Sequence, residues 1–256
     1  MMATLSSSVT MGADVSHEMS GLTVLLAGAG GGAGAAVARR LADLGASLEL
    51  CDREHDLVAP LAERMTAHGA DVGAATVDLL DAADVQAWVS DVRSRRRSVD
   101  GLVHLVGGWL GGDPLASADP TEWAQLEGPL IRSVQNTSRA THDDLLASPR
   151  GRFVLVSSRE ATRPSHTNAA YAAAKAAAET WTLALADAFR DSSAAASILV
   201  VKALLTEAMQ RSVDDPAKEF PGYTPVAELA KQVAALWESA AGEVNGRRIW
   251  LTDKTS

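Results

Sequence analysis

Residues 22–45 read LTVLLAGAGGGAGAAVARRLADLG. The opening LTVLLA is a short apolar run closed by glycine, the pattern of a strand buried on both faces. From Gly34 to Gly45 the apolar residues recur at helical spacing and the run ends on glycine, the pattern of a helix. Between the two lie five glycines in seven residues: Gly28, Gly30, Gly31, Gly32 and Gly34. Gly28, Gly30 and Ala33 fit G-x-G-x-x-G/A, and Gly28, Gly32 and Gly34 fit G-x-x-x-G-x-G. Glycines there permit a tight turn and bring backbone close to a pyrophosphate, and the helix start faces the negative charge. A merely flexible turn is the competing reading. The position directly after the first strand favours a dinucleotide.

The same alternation runs to the end of the chain. Strands are expected in ASLELCD, DVGAATVDL, VDGLVHLVGG, GRFVLVSS, ASILVVKA and GRRIWLTD. Helices are expected in LVAPLAERMTAHG, in DAADVQAWVSDVRSR behind a capping Asp81, from Asn168 to Asp191, and in PVAELAKQVAALWES. A long helical region from Pro120 to Ser148 carries Gly128-Pro129, which disturbs its start. Strand and helix in alternation, with near-continuous apolar strands, predict an α/β fold: a doubly wound parallel sheet of about seven strands with helices on both faces. One domain over 21–256 accounts for the pattern. Residues 1–20 contain no Lys or Arg and no long apolar run, and are expected to form a disordered or loosely docked tail rather than a signal peptide.

The net charge of -9 argues against a nucleic-acid partner, which calls for a basic face. Arg93 and Arg95 to Arg97 form one basic cluster at a helix end, read as a solvated end that complements the helix dipole. No apolar run is long enough to span a membrane. No metal site is expected. The single cysteine, Cys51, excludes an internal disulfide and suits a cytoplasmic protein. It lies in an apolar strand and is read as core.

Asp52 closes the second strand, where a carboxylate can accept hydrogen bonds from ribose hydroxyls and repel a ribose phosphate. That favours NAD(H). Arg53 beside it either stacks on adenine or attracts a phosphate, which leaves NADP(H) open. Farther along, NAAYAAAKAAAETW, residues 168–181, places Tyr171 and Lys175 one above the other on a helix face. A phenol with a pKa of about 10 is a poor base at neutrality, and an adjacent ammonium favours its ionised form.

Taken together, the glycine turn, the fifth strand ending in VSS and the Y-A-A-A-K segment resemble the short-chain dehydrogenase/reductase family, over about Gly21 to Asp253. Ser158 lies thirteen residues before Tyr171 and Lys175 four after it, the family's usual arrangement. The resemblance implies hydride transfer between a nicotinamide cofactor and a small or medium alcohol or ketone, with Tyr171 as general acid/base and Ser158 holding the substrate oxygen. Lys175 would both acidify Tyr171 and bind the nicotinamide ribose. It further implies cofactor contacts at Gly28, Gly30, Gly32, Gly34, Asp52, Arg53, Asp78, Gly107 and Thr206. A homo-oligomer, dimer or tetramer, is also implied.

The chain departs from the family in three places. The fourth strand ends His104-Leu105-Val106-Gly107 where Asn-Asn-Ala-Gly is usual; His104 is read as a satisfied buried histidine, and Trp109 either borders the substrate or anchors packing. Leu130 stands where many members carry a relay Asn, with Asn136 nearly two turns away. VVKALLTEAM replaces the Pro-Gly after the sixth strand and puts Lys202 at the rim or on a phosphate. The short segment from Glu207 to Pro225 would cover the substrate. Two alternatives therefore stand beside the alcohol/ketone reading: an NADPH-linked 3-oxoacyl thioester reductase, and a non-catalytic dinucleotide-binding regulator or scaffold.

Overall fold

The computed structural model describes residues 18–252. Seven strands form a parallel sheet: β1 (Thr23–Ala27), β2 (Ser47–Asp52), β3 (Val72–Thr76), β4 (Gly101–His104), β5 (Arg152–Ser158), β6 (Ala195–Val201) and β9 (Arg248–Trp250). Their order across the sheet is β3-β2-β1-β4-β5-β6-β9. The order reverses between β1 and β4, which opens a crevice at their carboxyl ends, where ligands of such sheets bind. Two residue pairs, β7 (Leu204–Leu205) and β8 (Thr224–Pro225), make a separate parallel ladder across the segment expected to cover the substrate.

Alternation of side chains assigns each strand's residues to two helical layers. α1 (Gly34–Asp43), α2 (His55–Ala67) and α9 (Val226–Glu238) cover one face, where Val37, Leu41, Leu61 and Leu229 pack on Leu26, Leu48 and Val154. α3 (Ala82–Arg95), α5 (Ser133–Ala147) and α6 (Ala169–Ala188) cover the other, where Val89, Leu145 and Leu185 pack on Leu25, Leu102 and Phe153. Each such side chain removed from water contributes roughly 1.5–3 kcal/mol. Asp81 caps α3 as expected, accepting from the amides of Ala83 and Asp84. Shorter helices α4 (Glu122–Glu127), α7 (Glu207–Arg211), α8 (Pro216–Glu219) and α10 (Ala241–Val244) complete the chain.

Gly128-Pro129 acts as expected: between α4 and α5 the chain makes a π-helical turn, Gly128–Arg132, before regaining α geometry. Proline supplies no amide there, so the regular ladder cannot continue through it.

The expected tail falls largely outside the described residues; Met19, near its end, is buried and its amide donates to Leu44 O at 2.9 Å. Two expectations need correction. The arginine cluster is only partly a solvated helix end: Arg93, Arg95 and Arg97 are exposed, yet Arg93, Arg95 and Arg96 carry ion pairs. Arg95 and Arg96 both grip Glu49, a β2 residue 1% exposed, at 3.0 and 2.6 Å, and Arg93 pairs with Asp144 at 2.6 Å. His104 is buried but only half satisfied: Nε2 shares a 3.1 Å hydrogen bond with Ser133 Oγ, while Nδ1 has no partner among the described residues. Burial pushes its imidazole down to about 3. Cys51 is core as expected, and burial raises its thiol.

Candidate active site

The glycine turn hangs on the end of β2. The amides of Gly28 and Ala29 donate to Cys51 O, and Gly30 N donates to Asp52 Oδ2 at 3.0 Å. Gly28 adopts φ +80, and a Cβ there would lie 2.8 Å from the Val106 amide nitrogen. Only glycine supplies both the conformation and the clearance. At Gly34 a side chain would overlap the Ala29 carbonyl, so this residue serves the packing of helix against turn. Gly32 abuts the Thr206 methyl group, and Thr206 caps α7 by accepting from Met209 N. The amides of Gly32 and Ala33, at the start of α1, donate to no acceptor among the described residues. Free amides at a helix start, with a carboxylate on the neighbouring strand end, fit the pyrophosphate and ribose of a dinucleotide.

Next to this turn lies a cavity of about 670 Å³. Ser158, Tyr171, Lys175 and Gly107 all line it, with Trp109, Glu160, Asn168, Lys202 and Tyr223. Strand β5 delivers Ser158, 3% exposed, at its carboxyl end. The alanine-rich first turns of α6 deliver Tyr171 and Lys175 on one face. Tyr171 and Ser158 share one wall of the cavity, and Ser158 Oγ accepts from Glu160 N at 3.3 Å. Lys175, 5% exposed, donates to Val156 O at 3.1 Å. The loop between them is stapled: Asn168 Nδ2 donates to Glu160 Oε2 at 2.6 Å, while Asn168 Oδ1 accepts from Ser165 N.

The electrostatics differ from expectation. Burial pushes the Tyr171 phenol up, the neighbouring Ser158 hydroxyl pulls it back, and the Glu160 carboxylate pushes it up further. The direction is opposite to the lowering expected from Lys175. Burial also lowers Lys175 to about 8, opposed by Glu179.

Not every expected residue joins the site. Arg53 is 81% exposed and pairs with Glu54. Asp78 is exposed; its carboxylate accepts from Leu80 N and it does not line the cavity. Leu130 is buried in the π turn against Leu126 and Ala174, and Asn136 holds Leu79 O at 3.0 Å, away from the cavity. Trp109 lines the cavity and is 61% exposed, so it does not anchor packing. Lys202 sits at the rim, bonded to Pro221 O at 2.6 Å and over the Tyr223 ring. Glu160, Asn168 and Tyr223 were not singled out from sequence. Tyr223 carried one legible signal: it is the only tyrosine besides Tyr171.

Fold and cavity together define a doubly wound nucleotide-binding protein with a Ser-Tyr-Lys wall. Residues 22–217 match the family model described as short chain dehydrogenase. The chain belongs to the short-chain dehydrogenase/reductase family of oxidoreductases. It is similar to ketoacyl reductase 1 of the granaticin polyketide synthase from Streptomyces violaceoruber, 33% identical over 52% of this chain and 50% of that protein. The matched stretch thus spans about half the length of that relative. It is also similar to oxidoreductase UcpA of Salmonella typhimurium, 30% identical over 83% of this chain and 84% of that protein. Among solved structures, a gluconate 5-dehydrogenase from Burkholderia cenocepacia J2315, in complex with NADP and tartrate, superposes with a TM-score of 0.76. It is 27% identical, over 92% of this chain and 95% of that one. Among the described residues no helix is long and apolar enough to cross a membrane, and no group of three or more His, Cys, Asp or Glu is placed to hold a metal ion.

Proposed function

We propose that this chain is an oxidoreductase that exchanges hydride between a nicotinamide cofactor and a small or medium alcohol or ketone, with Tyr171 as general acid/base. The observation that carries the reading is the convergence of Ser158, Tyr171 and a buried Lys175 on one wall of a cavity beside the glycine turn. The bound cofactor would supply or accept the hydride. Gly28, Gly30 and Gly32 would let its pyrophosphate approach the start of α1, Thr206 would border it, and Gly107 would leave room beside the nicotinamide. Lys175 would hold the nicotinamide ribose.

The remaining work falls to this chain's own side chains. Ser158 orients the substrate oxygen toward Tyr171. The phenol hydroxyl donates its proton to that oxygen in reduction and takes one from it in oxidation. A phenol held above its ordinary value is protonated at neutrality, which suits the donating direction. Glu160, Trp109 and Tyr223 would shape the substrate end of the cavity.

We assign NAD(H) as the preferred cofactor because of Asp52. Its carboxylate sits at the turn that would take the ribose, while Arg53 beside it is turned to solvent against Glu54. A second reading, an NADPH-linked 3-oxoacyl thioester reductase, draws support from the ketoacyl reductase relative and from the NADP in the gluconate dehydrogenase complex. We further propose a cytoplasmic homo-oligomer, on the family likeness and the single buried cysteine.

The test is Tyr171→Phe. Ketone reduction should fall by on the order of 10²–10⁴-fold while cofactor still quenches tryptophan fluorescence as in the unaltered protein. Equal, slow turnover in both proteins would favour a binding role without catalysis.

A further inference from the structure

Tyr171 and Lys175 belong to a longer stripe. Glu179 follows one turn farther along the same face of α6 and is 1% exposed. Both of its oxygens are held. Ser157 Oγ donates to Oε1 at 2.6 Å, and Arg248 Nε donates to Oε2 at 2.6 Å. Ser157 directly precedes Ser158 in β5, and Arg248 opens β9. Glu179 therefore ties the helix that carries Tyr171 and Lys175 to two strands of the sheet.

The charges on this stripe are as ordered as the hydrogen bonds. Lys175 has one protein acceptor among the described residues, the neutral carbonyl of Val156. A buried ammonium with only a carbonyl partner favours its neutral form. One turn away lies the Glu179 carboxyl group, also buried, and held from two sides by Ser157 and Arg248.

We infer that Glu179 is a positioning residue for the reaction: its fixed carboxylate keeps Lys175 protonated beside Tyr171, and Ser157 and Arg248 hold that carboxylate where it acts. The inference rests on the reading of Tyr171 and Lys175 proposed above. The other groups around Lys175 do not supply this charge. His104, from β4, is held neutral by burial. Ser158, from β5, is uncharged. Tyr171, on α6, is held protonated. Glu160, a carboxylate on the same cavity wall, pairs with Arg159 at 3.1 Å and acts on Tyr171. Arg248, from β9, and Lys202, at the cavity rim, carry the wrong sign. Among the influences on Lys175, burial lowers it and Glu179 is the one that raises it.

A brace needs only hydrogen bonds, whereas this role needs the charge. Glu179→Gln separates the two. The amide oxygen can accept from Arg248, and the amide nitrogen can donate to Ser157 Oγ. The readout is the titration of Lys175 in cofactor-free protein, followed by NMR of its side chain and assigned by its loss in Lys175→Met. In Glu179→Gln the midpoint should fall by about one pH unit or more. In parallel, the acid limb of alcohol oxidation should move to higher pH. An unmoved midpoint in a variant that melts like the unaltered protein overturns the inference. Should Glu179→Gln fail to fold with Arg248 left unpaired, the double variant Glu179→Gln with Arg248→Gln decides: the midpoint should still fall, because the carboxylate is the charge that acts on Lys175, and no change or a rise overturns the inference. Because the titration needs neither cofactor nor substrate, its outcome is separable from the proposed function. A shifted midpoint without any turnover would overturn that function and leave only the charge coupling of Glu179 to Lys175 standing.

Discussion

Glu49 and Glu179 are built alike and sit in different places. Each is 1% exposed, and each is gripped by arginine: Glu49 by Arg95 and Arg96, Glu179 by Arg248 with Ser157. Glu49 lies in β2 and ties the end of α3 to the sheet, with Arg96 reaching on to Asp71. Glu179 ties α6 to β5 and β9, one helical turn from a buried lysine on the cavity wall. A buried carboxylate with its arginine is therefore no signpost of function by itself. The neighbouring titratable group decides whether its charge is felt by the chemistry.

The largest effect should come from truncating the purely structural member. Glu49→Ala leaves Arg95 and Arg96 without their shared partner, and unfolding should become easier by about 2–4 kcal/mol in a denaturant titration. A loss below about 0.5 kcal/mol would mean that the two partly exposed arginines are satisfied by water.

His104 provides the contrast to both carboxylates, a buried ionisable group with no counter-charge. Its folded value, about 3, lies below its ordinary value of 6.5. The folded state therefore binds fewer protons than the unfolded chain between those values. The stability it contributes is complete above pH 6.5 and is lost as pH falls toward 3. Between pH 6.5 and 5 the protein should lose about 1.5 kcal/mol on this account. His104→Asn should remove that part of the slope in chemical denaturation at the two pH values, and an unchanged slope would place the acid sensitivity elsewhere.

The sharpest use of the comparison is the matched pair of isosteres. Glu49→Gln should leave the pH dependence of turnover unmoved and cost only stability. Glu179→Gln should reduce alcohol oxidation at neutral pH by about tenfold, recovering as pH rises, with little change in melting temperature. Identical pH profiles in the two variants would erase the distinction drawn between the two sites.

The glycine turn was legible in sequence because its requirements are local. Gly28 needs a positive φ beside Val106, and Gly30 must leave room for Asp52. Both constraints write glycine into a short stretch. Tyr171 and Lys175 were legible because helical spacing puts them on one face; Glu179, one turn farther along that face, was not singled out. Its partners were not legible: Arg248 lies 69 residues away, and the sheet order brings it there. The arginine cluster was misread for the same reason, since Glu49 lies 46 residues before Arg95 and looks like any strand residue. Tyr171's raised phenol was missed because burial is a property of packing, which the spacing to Lys175 does not encode.

The most direct measurement is a fluorescence titration of the purified protein with NADH and, separately, NADPH, using its tryptophans as reporters. NADH should bind more tightly, by about tenfold or more, because the Asp52 carboxylate at the glycine turn repels a ribose phosphate. Tighter NADPH binding would contradict the assignment of Asp52 and favour the thioester reductase. Binding of neither would contradict the central claim that this fold and its glycine turn hold a nicotinamide dinucleotide.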